Sequence, residues 1–286
     1  MYGVLESVAV RQPPLALGKA DPGSWHYAGP VDLQLALDQH KQFLALLEQC
    51  GARVEFIEQV SGQYPDSMFT HDPSMLTRQG AVLMNMGKPL RRPETELHRA
   101  YYERLRIPLL GQIEEPATME GGDAFWIDNK TLAVGRGPRT NDEGIRQIRA
   151  IMDGIGVIVL DFDLPEYGEK GACLHLLSLV SLLDKDLALV HASLLPQRLR
   201  EVLQERGFKL IPAPEDEYEA THTISANVLA VAPRRCIMID SAPKTKEAME
   251  SAGCTVLTFS GDEICIKLEG GPTCLTRPLA RRPPNE

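Results

Sequence analysis

Basic residues are in deficit: 30 lysines and arginines stand against 39 aspartates and glutamates, a net charge of −9 over 286 residues. That balance argues against nucleic acid or an anionic membrane as a partner, and leaves room for a small cation drawn to an acidic cleft. Cysteine is thin as well. Cys50, Cys173, Cys236, Cys254, Cys265 and Cys274 are scattered, with no CxxC and no dense framework. Such usage fits reduced thiols in the cytoplasm, not a disulfide scaffold. No stretch approaches a membrane span, and no basic segment followed by an apolar run opens the chain. The histidines show no HxxxH spacing and no paired cysteines accompany them, so no metal site is expected. Neither GxxxxGKS nor GxxxxGKT occurs, Gly135-Arg136-Gly137 lacks a third glycine, and there is no GxSxG. Phosphate-cradling loops and the serine-hydrolase elbow are therefore unsupported. No linker or low-complexity segment interrupts residues 1–286, and one domain is expected.

What is present repeats. Val8-Ala9-Val10-Arg11 reads as a short strand, and 15–30 as an aperiodic loop with Trp25 and Tyr27, suited to covering something. A helical period runs from Val31 to Gln49, ends at Cys50-Gly51, and is followed by a strand at Val54–Ile57. The same order then recurs: two strand-like runs, a helix and a third strand. The first round is Met68–Met75, Ala81–Met86, a helix over 94–104 and Ile107–Leu110. The second is Ala124–Ile127, Thr131–Val134, a helix over 142–152 and Val157–Asp161. The third is His175–Leu182, Leu187–His191, a helix over 196–206 and Phe208–Ile211. The fourth is Ala226–Val231, Cys236–Ile239, a helix over 245–251 and Thr255–Phe259. A fifth round takes Ile264–Leu268 and Thr273–Leu279 from the C-terminus and its helix and last strand from the N-terminus. Five ββαβ rounds, one shared by both chain ends, predict a closed ring of repeated units.

Within that ring the informative residues are polar groups at strand ends. Glu269-Gly270-Gly271-Pro272-Thr273-Cys274 holds a cysteine behind two glycines and a proline, where a ligand can approach the backbone. A buried structural thiol is the plainer reading of any one cysteine. Asp72 lies amid strand-like residues, where an unpaired carboxylate costs several kcal/mol to bury; a turn before Pro73 is the alternative. Glu120 and Asp123 flank Gly121-Gly122, and paired carboxylates accept a planar forked cation. His175 sits in an apolar run, the usual setting of a core histidine, and His191 and His222 are lesser candidates. Arg91, Arg92, Arg136 and Arg139 precede predicted helices, where a basic cluster can take a carboxylate; solvated surface charge is the commoner case.

Taken together, Pro65-Asp66-Ser67-Met68-Phe69-Thr70-His71-Asp72-Pro73, Ala117-Thr118-Met119-Glu120-Gly121-Gly122-Asp123, Arg139-Thr140-Asn141, Leu174-His175-Leu176, Ala226-Asn227 and the Glu269–Cys274 run are far more specific than any one alone. The chain resembles the dimethylarginine dimethylaminohydrolases, within the guanidino-group-modifying superfamily that includes arginine deiminases and amidinotransferases. The resemblance spans nearly the whole chain and implies a five-bladed α/β propeller (the pentein fold) with no cofactor. It implies Cys274 as nucleophile, His175 as general acid and base, Glu120 and Asp72 as the grip on a guanidinium, and Asp66 at the substrate pocket. Arg91 and Arg139 match the arginines that take the α-carboxylate, Glu269 matches an acidic residue near the nucleophile, and Asp123 belongs to the substrate-binding set. The substrate is then a small cationic guanidino compound, an Nω-methylated arginine that yields citrulline and an amine. His71 departs from the pattern, since dimethylaminohydrolases tend to carry glutamate there and arginine deiminases arginine. It is expected to face the substrate and weaken the grip on the cation. A deiminase, an amidinotransferase and a catalytically dead scaffold are the rival readings. A homodimer is left open.

Overall fold

The structure, a computed structural model, describes residues 1–58, 64–167 and 174–283. Cys173 lies outside the described residues. Five mixed sheets of three strands each make up the β structure. The first joins both chain ends: β1 (Val4–Val10) lies between β2 (Arg53–Phe56), parallel to it, and β15 (Arg277–Arg282), antiparallel. The others are β3 (Ser74–Leu76), β4 (Ala81–Leu83) and β5 (Leu109–Gln112); β6 (Ala124–Asp128), β7 (Thr131–Arg136) and β8 (Ile158–Asp163); β9 (Val180–Asp184), β10 (Leu187–Val190) and β11 (Lys209–Pro212); and β12 (Leu229–Ala232), β13 (Arg235–Ile239) and β14 (Thr255–Phe259).

Every sheet has one plan, an inner strand antiparallel to a middle strand that is parallel to an outer one. Parallel neighbours require a crossover, and helices supply it. The helices are α1 (Pro22–Trp25), α2 (Leu33–Gln49), α3 (Glu94–Leu105), α4 (Asp142–Asp153), α5 (Gln197–Glu205), α6 (Glu215–Ala220) and α7 (Pro243–Ser251). Of these α2, α3, α4, α5 and α7 are the five crossovers. Asp32 and Asn141 start α2 and α4 by accepting the backbone N–H groups of Leu35 and Gly144. Contacts of β1 with β12, β12 with β9, β15 with β3 and β6 with the turn before β9, together with a shared apolar cluster between β4 and β7, carry the sheets around a ring. No helix among the described residues is long and apolar enough to cross a membrane.

Several expected strands start later than predicted or are not strands: His175–Leu182 is strand from Val180, Ala226–Val231 from Leu229 and Thr273–Leu279 from Arg277. Ile264–Leu268, read as a strand, belongs to a helical turn over Asp262–Ile266. Gln39 on α2 accepts the backbone N–H groups of both Glu263 and Ile264 through its side-chain oxygen, which spends donors that a strand ladder would need. The run Met68–Met75 is strand only from Ser74, and Pro65–Met68 forms a 3₁₀ turn. Asp72 therefore sits in the turn ahead of an inner strand, not within one.

Candidate active site

The turns that lead into the inner strands all open at one end of the ring. Asp66 and Asp72 precede β3, Glu120 precedes β6, His175 precedes β9, Thr223 and Asn227 precede β12, and Glu269 and Cys274 precede β15. These five segments enclose a cavity of about 110 Å³ that is lined by Asp66, Asp72, Arg91, Glu120, Arg139, His175, Glu269 and Cys274. Residues spread over more than two hundred positions thus share one small pocket because the repeat returns each turn to the same axial mouth.

Asp72 is buried and bonds on both sides. One oxygen accepts the Gly122 N–H at 2.9 Å and the other accepts Arg91 Nη1 at 2.7 Å. Burial opposes its charge, but Arg91 and His175 hold the carboxyl far below the usual carboxylate range. Glu120 is wholly buried. Its Oε2 accepts His175 Nε2–H at 2.8 Å, and its Oε1 accepts the Lys88 backbone N–H at 3.0 Å with Arg139 Nη1 at 3.4 Å. Burial again works against ionisation, yet the imidazole and Arg139 keep Glu120 below its ordinary value. Ligand atoms of Asp72, Glu120 and His175 lie within 4.8 Å of one another, a geometry able to hold a cation, a metal ion by ligand type included. The three come from separate repeats, so no sequence spacing could reveal the cluster.

The glycines beside these residues are required by close approach. A Cβ on Gly122 would lie 2.7 Å from His175 Nδ1 and 2.9 Å from Asp72 Oδ1, and one on Gly271 would lie 2.4 Å from Asn227 Oδ1. Asn227 clamps the cysteine loop: its Oδ1 accepts the Thr273 N–H at 3.0 Å and its Nδ2 donates to Cys274 Sγ at 3.4 Å. Its motif gave no role, because the bond it makes reaches into the neighbouring repeat, 47 positions along the chain. Burial, and then the charge of Asp72, push the half-buried Cys274 thiol up to about 11.

Asp66 is tied by Tyr27 Oη at 2.5 Å and Lys88 Nζ at 2.8 Å, and Lys88 also donates to the Trp25 carbonyl at 2.9 Å. The 15–30 segment, with Trp25 and His26 in the pocket wall, is fastened over the site through this knot. Lys88 is a pocket residue that sequence reasoning passed over. Glu269 lies at the exposed rim with φ +56°, a strained conformation for a non-glycine residue. Arg91, expected to take a carboxylate, has its guanidinium bonded to Asp72, Glu94 and the Phe69 carbonyl. Arg139 is the more exposed of the two arginines.

Two expected substrate contacts are not in the pocket wall. Asp123 is buried, and its oxygens accept the Thr140 hydroxyl at 2.7 Å and the Leu176 N–H at 3.1 Å, so it braces the turn that carries His175. His71 was expected to face the substrate. Its Nδ1–H donates to the Thr276 carbonyl at 2.9 Å, and the residue lines a different cavity. Burial, followed by the nearby Arg277 charge, pushes the His71 imidazole down to about 3. Neighbouring residues of this turn point to opposite sides, so Asp72 and His71 cannot both enter the pocket.

Comparison with known proteins places this geometry among enzymes of guanidino compounds. A family model described as N,N dimethylarginine dimethylhydrolase, eukaryotic, matches residues 25–281. The N(G),N(G)-dimethylarginine dimethylaminohydrolase of Pseudomonas aeruginosa is 28% identical over 251 residues, covering 87% of this chain and 91% of that protein. Its counterpart from Streptomyces coelicolor is 30% identical over 246 residues, with 86% of each chain covered. Among solved structures, a cysteine-to-serine mutant of the Pseudomonas aeruginosa enzyme complexed with citrulline has a TM-score of 0.78 at 25% identity, covering 96% of this chain and 98% of that one. The N-terminal domain of the cyanobacterial arginine dihydrolase ArgZ has a TM-score of 0.81 at 21% identity, a likeness of fold, over 96% of this chain and 97% of that one. The five sheets are those of the α/β propeller shared by these proteins.

Proposed function

The chain belongs to the dimethylarginine dimethylaminohydrolase family, hydrolases of C–N bonds in linear amidines, and from that premise we propose that it converts Nω-methylated arginine to citrulline and methylamine or dimethylamine. The observation that carries this reading is the cation site formed by Asp72, Glu120 and His175 in the same pocket as Cys274.

In this mechanism the guanidinium lies between Asp72 and Glu120, which fix its plane through charge-assisted hydrogen bonds. Arg139 takes the substrate's α-carboxylate, and Arg91 secures Asp72. When the cation arrives the thiol of Cys274 becomes a thiolate, and its proton passes to the His175 imidazole. A unit positive charge about 4 Å from sulfur, at an effective dielectric of about 20, contributes about 4 kcal/mol and lowers the thiol pKa by about 3. Set against a starting value of about 11, that brings ionisation within reach of neutral pH. The thiolate attacks the guanidinium carbon and forms a C–S bond. His175 gives a proton to the departing nitrogen, the C–N bond breaks, and the amine leaves a thiouronium on Cys274. The imidazole then takes a proton from water as the oxygen adds to the same carbon. Collapse expels the thiolate and releases citrulline. Asn227 Nδ2, already on the sulfur, stabilises it as the negative charge returns.

The test is a panel of arginine, monomethylarginine, asymmetric dimethylarginine and other guanidino compounds, with citrulline and the released amine both identified. Dimethylamine or methylamine in equal amount to citrulline is the expected result. Ammonia from arginine at tenfold or greater kcat/KM over the methylated substrates would replace this reading with a deiminase. A new guanidino product on an acceptor amine would replace it with an amidinotransferase.

A further inference from the structure

The axis of the ring has a second mouth. At the end opposite the pocket, the hairpin turn after β3, the turns between β6 and β7 and between β9 and β10, the first residues of the chain and the whole of β15 surround a cavity of about 850 Å³. It shares no lining residue with the small pocket. The partition is one residue thick, since His71 and Gly121 border the large cavity while Asp72 and Glu120 border the small one.

Arg277 lies at the inner end of this cavity, 6% exposed. Its Nη2 donates to the His71 carbonyl, and its Nε has no hydrogen-bond partner among the described residues. No ion pair to a carboxylate engages it among the described residues either. Burial drives its pKa down, opposed from a distance first by the Tyr102 hydroxyl and then by Asp72, a carboxylate already bonded to Arg91. A buried guanidinium without a counter-charge is costly, and a bound anion relieves that cost. The two acids in the cavity wall do not supply it: Asp184 is paired with Arg234 at 2.8 Å and Asp128 with Arg206. Arg78, Lys130, Lys185 and Arg282 stand exposed at the outer wall, a basic funnel on a chain whose net charge is −9. A low-dielectric cleft lined with one sign of charge concentrates the opposite ion.

We propose that this axial cavity is an anion site, in which a compact monovalent anion, a halide or the carboxylate of a small acid, sits on the inner guanidinium of Arg277. The site is separate from the substrate pocket and stands whether or not the substrate reading above holds.

The experiment has two arms. In the first, thermal melts of the full chain at fixed ionic strength compare sodium chloride and sodium formate with sodium gluconate, in wild type and Arg277→Gln. A saturable rise in Tm with chloride or formate beyond the gluconate control, lost in the variant, is expected; the stronger of the two salts identifies the source. No rise over gluconate, or an equal rise in Arg277→Gln, overturns the proposal. In the second, crystals of the wild-type protein are soaked in bromide and measured at the bromine edge, which needs no variant to fold. An anomalous peak in the cavity against Arg277 is expected. A cavity without one, or bromide confined to the exposed lysines at the mouth, overturns it.

Discussion

The ionisation of Cys274 is the point at which this site departs furthest from an ordinary thiol, and it can be tested by changing reagent charge and pH together. A thiol held at about 11 is about 0.1% thiolate at pH 8, whereas a free thiol with pKa about 8.5 is about one quarter ionised. Iodoacetamide, which is neutral, should therefore alkylate Cys274 with a rate that keeps rising tenfold per pH unit through pH 9. A chloroacetamidine carries the cation that the carboxylates accept and should show its inflection about 3 pH units lower, by the Coulomb argument above. The assay is peptide mass spectrometry of the Cys274 peptide after timed quenches from about pH 6.5 to about pH 10. Reading the inflection and not the absolute rate removes the effect of limited access to a half-buried sulfur. An iodoacetamide inflection near pH 7 to 8 would refute the reasoning, because the empty pocket would then already hold a thiolate.

Glu120→Gln removes one charge from the cation site and the acceptor of His175. It should cost about 2–4 kcal/mol in transition-state stabilisation, about 30- to 1,000-fold in kcat/KM, and wild-type kinetics would reduce Glu120 to a turn residue. Gly122→Ala must displace either the imidazole or Asp72, given the 2.7 Å and 2.9 Å approaches. A misplacement of that size costs on the order of 100-fold in kcat/KM, and an unchanged value in a variant that melts like wild type would contradict the geometry. His71 is held neutral down to about 3, so it does not titrate between pH 5.5 and pH 8.5. His71→Gln should leave the shape of the kcat/KM–pH profile over that range unchanged, and loss of a wild-type inflection near pH 6.5 would return His71 to the substrate pocket.

Much of the architecture is legible because each round repeats one order of elements, and a parallel pair of strands demands the helix between them. The outer strand Thr255–Phe259 and the crossover helices fall where apolar periodicity puts them. What escaped depends on contacts between distant residues. Ile264–Leu268 alternates like a strand over only five residues, and Gln39, far off in the sequence, decides it. Helix α6 has no apolar period to announce it. Its Glu217 accepts the Lys244 and Thr245 N–H groups and so caps α7, whose own N-cap Ala242 offers no side-chain acceptor. In the site, carboxylates beside glycines and a cysteine behind Gly270-Gly271-Pro272 were readable from local chemistry. The facing of His71 was not, since a turn that alternates sides separates it from Asp72 by a single residue. Asn227 and Lys88 were missed for the same kind of reason, because one acts on a sulfur in another repeat and the other on Asp66 and the covering loop.

The central claim is that Cys274 carries the substrate's amidino carbon during turnover. Acid quenching of wild type within the first turnovers on asymmetric dimethylarginine, followed by mass spectrometry of the Cys274 peptide, tests it without inference from rates. The account predicts an adduct at Cys274 whose added mass is that of the substrate less dimethylamine. It should be absent in Cys274→Ser and should persist in His175→Asn, where water attack is slowed. Citrulline formation by Cys274→Ser, or an adduct found on another cysteine, would contradict it.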